Sequence, residues 1–218
     1  MIGCVADNDI LYKGTCYQFL RELLQAVATN ERFGILGEAR YVVGGKLRKR
    51  PPRRGGAAAI ADFERELSSL QFLEPTPEEV AVAAELELAA QQLAVALDSG
   101  ESLLVAVTHM RRLLRLFTGD KRAAEALEAL LRRGIAEVQG VAGKLVCLEQ
   151  GVAWMLKLGF VSATDCRRAV CADKTVDIAL AICFSCSSPE IADERCQEGL
   201  RAYIESLRAT APNLLADG

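Results

Sequence analysis

The stretch Leu116-Phe117-Thr118-Gly119-Asp120-Lys121-Arg122-Ala123 sets an acid where an apolar run gives way to a helix-forming run. The pattern reads as a buried strand, a tight turn and a helix start. Asp120 then stands at the carboxyl end of a strand, the edge at which open α/β sheets bind ligands. A Gly-Asp turn is also ordinary turn chemistry, so its weight comes from three acids upstream. Asp7 follows the apolar residues 2–6, Glu38 opens a helix, and Glu101 opens another after Asp98-Ser99-Gly100. Carboxylates held close repel one another, and a hard divalent cation relieves that repulsion. Mg2+ and Mn2+ take oxygen ligands and bridge to phosphates. Such a centre can activate water against a phosphodiester. Singly, Asp7 and Asp9 also suit an Asx turn, and Glu38 and Glu101 suit the helix dipole.

The elements that must position these acids alternate. A short strand over 2–6 is followed by helical spacing from Leu11 to Thr29, and residues 32–36 form a second strand or a loop. A helix starts near Glu38, another covers Ile60 to Leu70, and Gln71–Glu74 is a short strand stopped by Pro75. Thr76-Pro77-Glu78-Glu79 carries a cap, a first-turn proline and first-turn acids, so it opens a helix that runs to about Leu97. A further helix spans Glu101 to Met110. The pattern predicts a parallel sheet flanked by helices over 1–140. Beyond 140, residues 144–158, 164–171, 175–186 and 189–208 all read as helices, with Pro189 at a helix start. No strand is predicted there, so 141–218 reads as a helical extension.

Just over half of the 218 residues are apolar and a quarter are charged, enough for a packed core and too apolar for disorder. No basic leader precedes an apolar segment, and no apolar run is long enough to span a bilayer. The expectation is a cytoplasmic protein without a membrane partner, whose eight cysteines are thiols. Cys183 and Cys186, with Cys166, Cys171 and Cys196, also offer a zinc ligand set, against irregular spacing and the habit of cysteine to pack as a small hydrophobe. Residues 46–54 hold six basic and no acidic side chains: Lys46, Arg48, Lys49, Arg50, Arg53 and Arg54. With Lys121 and Arg122 they are candidate phosphate contacts; the plain alternative is a solvated basic loop over 46–56. His109 reads as a packed or surface residue, which disfavours a Ser–His or Cys–His hydrolase. Asp173 to Asp177 reads as a helix cap with an exposed face. Trp154 and Phe160 read as core.

Taken in order, the acidic segments resemble the PIN-domain ribonucleases. Asp7-Asn8-Asp9-Ile10-Leu11 after a short strand is similar to the family's opening motif, and Ile35-Leu36-Gly37-Glu38-Ala39 to its second. Asp98-Ser99-Gly100-Glu101 resembles the Gly-Glu helix start of some branches, and Phe117-Thr118-Gly119-Asp120-Lys121 the last acidic motif. The resemblance covers roughly residues 1–135. It implies a three-layer α/β/α sandwich with a central parallel sheet. It also implies an Mg2+- or Mn2+-dependent endoribonuclease acting on single-stranded or structured RNA, often as a homodimer and often paired with an antitoxin. On that reading Asp7, Glu38, Glu101 and Asp120 are catalytic and metal-facing. Asp9, Asp98 and Thr118 are supporting polar groups, with Asp98 an alternative third acid. Asp9 departs from the family's usual Asn or Ser.

Two other readings stand beside it. One is a PIN-like module that binds RNA or protein without cutting. The other is a haloacid-dehalogenase-like phosphatase, which Asp7-Asn8-Asp9 also resembles, with Asp7 as nucleophile and Asp9 as acid. Leu11 and Ala124 depart from that second family's pattern.

Overall fold

The structure is a computed structural model that describes residues 2–28, 31–188 and 193–217. Its elements in chain order are β1 (Ile2–Ala6), α1 (Asn8–Tyr17), α2 (Leu20–Ala28), β2 (Arg32–Leu36), α3 (Ala39–Lys49), α4 (Ala57–Leu67), β3 (Gln71–Leu73), α5 (Pro77–Gln92) and α6 (Ser99–Met110). There follow β4 (Arg115–Thr118), α7 (Lys121–Arg132), α8 (Ala136–Gln139), β5 (Leu145–Cys147), α9 (Leu148–Lys157), α10 (Ala163–Ala172), α11 (Ile178–Cys183) and α12 (Asp193–Thr210).

The five strands form one all-parallel sheet in the order β3-β2-β1-β4-β5, with helices on both faces. Strand side chains alternate between faces, so β1, β2, β4 and β5 each feed two cores, while the edge strand β3 gives Leu73 to one. Cys4, Ala6, Phe33, Ile35, Phe117 and Val146 pack against α1, α2, α3 and α9. Val5, Leu36, Leu73, Leu116, Leu145 and Cys147 pack against α5, α6 and α7. Being covered on both faces, the strands are apolar at nearly every position, as parallel strands usually are. Gly151 lets α9 close on the sheet: a Cβ there would stand 2.5 Å from the Phe117 ring.

Several sequence expectations need correction. The single helix from Leu11 onward is two helices, because Gln18 adopts a left-handed conformation (φ 60°) and its backbone N–H closes on the α1 carbonyls. Thr29 lies outside the described residues, as does Pro189. The basic segment is not all loop: α3 continues through Lys46, Arg48 and Lys49, where cations suit the helix carboxyl end. The helix from Pro77 ends at Gln92, not Leu97. Residues 145–147 form β5, pairing with β4 through Leu116↔Leu145 and Thr118↔Cys147. Helices α9 to α12 come after this fifth strand, and the core around Phe117 includes Val152, Leu180 and Leu200. Cys171 and Cys186 form a disulfide rather than two thiols. Phe160 is exposed rather than in the core. No helix among the described residues is long and apolar enough to cross a membrane.

Candidate functional site: an acidic cleft at the sheet's carboxyl edge

Strand order reverses beside β1: the chain runs outward to β2 and β3, then crosses back to β4. The connections that leave the carboxyl ends of β1 and β4 therefore run to opposite faces of the sheet, into α1 and α7, and leave a crevice between them, the usual ligand position in open parallel sheets. A cleft of about 240 Å³ lies there, lined by Asp7, Asp9, Asp98, Glu101, Asp120 and Arg122, with Leu36 and Leu104 among its apolar walls. Thus Asp7, Glu101 and Asp120, far apart in sequence, meet with both supporting acids. Glu38 is different: it precedes α3 without a side-chain cap bond, is exposed, and is not among the cleft's lining residues.

Asp7 is the most constrained acid. It caps α1, its Oδ1 accepting from the Ile10 N–H at 2.7 Å. Its Oδ2 accepts from Thr118 Oγ1 at 2.6 Å and from the Gly119 N–H at 2.9 Å. The carboxylate thereby ties the end of β1 to the turn after β4. Burial pushes its pKa up to about 6, partly opposed by the Thr118 and Ile10 hydrogen bonds, while the Asp9 charge raises it further. Thr118 Oγ1 in turn accepts from the Asp120 N–H at 3.1 Å, so its hydroxyl orders the whole turn.

Glu101 and Asp98 form a reciprocal capping box at the start of α6. Asp98 Oδ1 accepts from the Glu101 N–H at 2.8 Å, and Glu101 Oε2 from the Asp98 N–H at 2.9 Å. Asp98 is exposed, whereas Glu101 leans into the cleft. Burial pushes Glu101 up to about 7; its bond from Asp98 opposes this, and the charges of Asp98, Asp120 and Asp7 add to it. Asp120 goes the other way. The forked guanidinium of Arg122 donates at 2.6 and 3.2 Å and holds that carboxyl below its usual range.

Lys13 had no role in the sequence reading, yet it is 8 % exposed and centred on this edge. Its Nζ donates to the Gly119 carbonyl at 3.1 Å and pairs with Asp9 at 3.1 Å and Asp177 at 3.0 Å. Burial disfavours the ammonium, but the Asp177 and Asp9 charges prevail and raise its pKa. Asp177 caps α11, as expected of a helix start, but is buried rather than exposed. Asp173 is buried too, within 3.6 Å of Arg53. A second pair lies further along the same edge, where Lys121 Nζ stands 3.3 Å from the buried Glu149. Lys121 is thus engaged internally. Among the other basic residues, Lys46 reaches the cleft, 3.5 Å from Asp9 and over the Tyr12 ring. Arg48, Lys49, Arg50 and Arg53 are exposed, and Arg54 is half-buried.

The donor set is the one a hard cation prefers, but its arrangement is not a ready coordination shell. Both oxygens of Asp7 and of Asp120 already accept hydrogen bonds. No three His, Cys, Asp or Glu side chains among the described residues are gathered so as to hold a metal ion, zinc included. As placed, then, the residues do not fit a preformed divalent centre. Comparison with protein-family models, with curated proteins and with solved structures finds no match to this chain.

Proposed function

We propose that the chain is an endoribonuclease that hydrolyses RNA phosphodiester bonds at the acidic cleft. The observation that carries this reading is the meeting of Asp7, Glu101 and Asp120 in one cleft at the point where strand order reverses. Burial raises the pKa of Asp7 to about 6 and that of Glu101 to about 7, towards the range a group needs to take a proton from attacking water. Thr118 and Gly119 keep Asp7 aimed across the crevice. Arg122 and Lys46 bring positive charge to its rim, where a phosphate would sit. Dependence on Mg2+ or Mn2+, a homodimeric state and an antitoxin-like partner are implied by the PIN resemblance. The carboxylates as arranged do not supply the first of these, so it enters as a variable of the test.

A second reading rests on the same hydrogen bonds. Because Asp7 and Asp120 are fully occupied within the chain, the cleft also suits a module that binds RNA without cutting it. The deciding experiment incubates the protein with a mixed single-stranded RNA pool in Mn2+, in Mg2+ and in chelator, beside Asp7→Asn. Cutting that vanishes in the variant is the expected result, and the three conditions show whether a cation is needed. RNA retention with no cutting under any condition would replace the nuclease reading with the binding one. Release of phosphate from small esters, again lost in Asp7→Asn, would instead favour the phosphatase.

A further inference from the structure

We infer that Tyr41, Phe72 and Arg40 form a base-stacking subsite for single-stranded RNA beside the acidic cleft; this rests on the proposed action on RNA. Tyr41 is 63 % exposed and Phe72 is 41 % exposed. Large aromatic rings are usually buried, and here two of them share one cation. The Arg40 guanidinium carbon lies 4.3 Å from the Tyr41 ring centre and 5.7 Å from that of Phe72, and its Nη2 donates to the Tyr41 hydroxyl. Arg40 thereby bridges the first turn of α3 and the edge strand β3.

The position follows from the sheet. Phe72 pairs with Ile35, and the next pair, Leu36↔Leu73, ends at a wall of the cleft. Strands lie roughly 4.8 Å apart, so Phe72 stands about two strand spacings, roughly 10 Å, from β1 in the plane of the sheet. Leu73 faces the core shared with α5 and α6, and alternation turns Phe72 to the opposite, α3 side. Further along α3, Lys46 reaches the cleft and Arg48 and Lys49 are exposed.

The chemistry favours a nucleobase over a phosphate at the platform itself. Glu38 is exposed one turn away and the exposed Glu74 lies two residues after Phe72, and both repel an anion. A base offers an uncharged π-face that stacks on rings and on a guanidinium plane. The bases of a duplex are already stacked, so the ligand is single-stranded. The basic residues of α3 are left to follow the backbone.

The test is a fluorescence titration of a short single-stranded RNA carrying 2-aminopurine, in chelator, so that binding is read without cleavage. Wild type should bind and quench the probe. Tyr41→Ala and Phe72→Ala should each weaken binding about tenfold, with the salt slope unchanged because no phosphate contact is lost. Tyr41→Trp should keep both affinity and quenching, and circular dichroism should show every variant folded. Equal binding and quenching by wild type and the Tyr41→Ala/Phe72→Ala double variant would overturn the platform and leave the nuclease reading standing. Failure of wild type to bind any RNA, in chelator and again in Mg2+, would overturn both. If the double variant instead dissolves a wild-type dimer in sedimentation, the face is an interface between copies and the inference falls.

Discussion

Lys13 Nζ lies 3.0 Å from Asp177 Oδ2, and this ion pair carries the first residues of the cleft onto the cap of α11. The ammonium also holds Asp9 and the Gly119 carbonyl, so one cation fixes three segments. Removing one partner of a buried pair leaves an uncompensated charge, which costs about 3–5 kcal/mol. Lys13→Met should lower the unfolding free energy, read from urea titration, by a matching amount. A loss below about 1 kcal/mol would mean that the pair is screened as surface pairs are.

Glu101 sets a pH dependence whose sign is fixed. Its folded pKa, about 7, lies above that of the unfolded chain. The folded state therefore binds this proton more tightly, and the associated stability is fully present below pH ~4.3. It is lost as pH rises through about 7. Glu101→Gln keeps a side chain able to complete the capping box and removes the titration. Unfolding free energies from denaturant titrations between pH 4 and 8 should fall less steeply in the variant, by on the order of 2 kcal/mol across the window after allowing for solvent screening of this partly exposed carboxyl. Identical slopes would place the titration elsewhere.

Arg122 is the reason Asp120 stays ionised so readily. Arg122→Ala should return the Asp120 pKa upward towards the ordinary aspartate range. Carboxyl-carbon NMR titration reads this directly, and an unchanged value would mean that the backbone N–H of residue 122, at 2.8 Å, suffices.

The bridge between Cys171 and Cys186 encloses α11 and its cap Asp177. Closing a loop of 15 residues is worth about 3 kcal/mol through the unfolded chain. The Cys171→Ser/Cys186→Ser variant should lose stability of that order, and the α11 amides should exchange hydrogen faster. Unaltered exchange there would show that packing alone holds the helix.

The sequence made β1, β3 and β4 readable because each apolar run stops at a turn, a proline or a glycine, whereas residues 32–36 read equally as a strand or a loop. Leu145-Val146-Cys147 escapes notice because it passes directly into the helical Leu148, and three apolar residues carry no period of their own. Asp7, Glu101 and Asp120 were legible from their places at strand ends and helix starts. Lys13 was not, since a lysine one turn into a helix looks solvated. Only the packing of α1 on nearly all sides reveals it as buried. Asp177 was legible as a cap but not as a partner, because its partner lies at the other end of the chain. The single αL residue Gln18 that divides α1 from α2 also lacks a signal, standing where glycine or asparagine would announce a stop.

The residues after α12 return to the sheet. Leu145 donates its N–H to the Leu214 carbonyl at 3.0 Å, and Ala216 donates to the Leu145 carbonyl at 2.8 Å, with a bridge between Leu145 and Leu215. Residues 213–216 thus blunt the outer side of β5, while the opposite border is kept to the three residues of β3. Unpaired strand borders recruit other chains. A protein clipped after Thr210 would keep every cleft acid, but it would lose the buried Ala211, Leu214 and Leu215 from the core and bare β5 as a template for self-association, so packing and solubility would fail together.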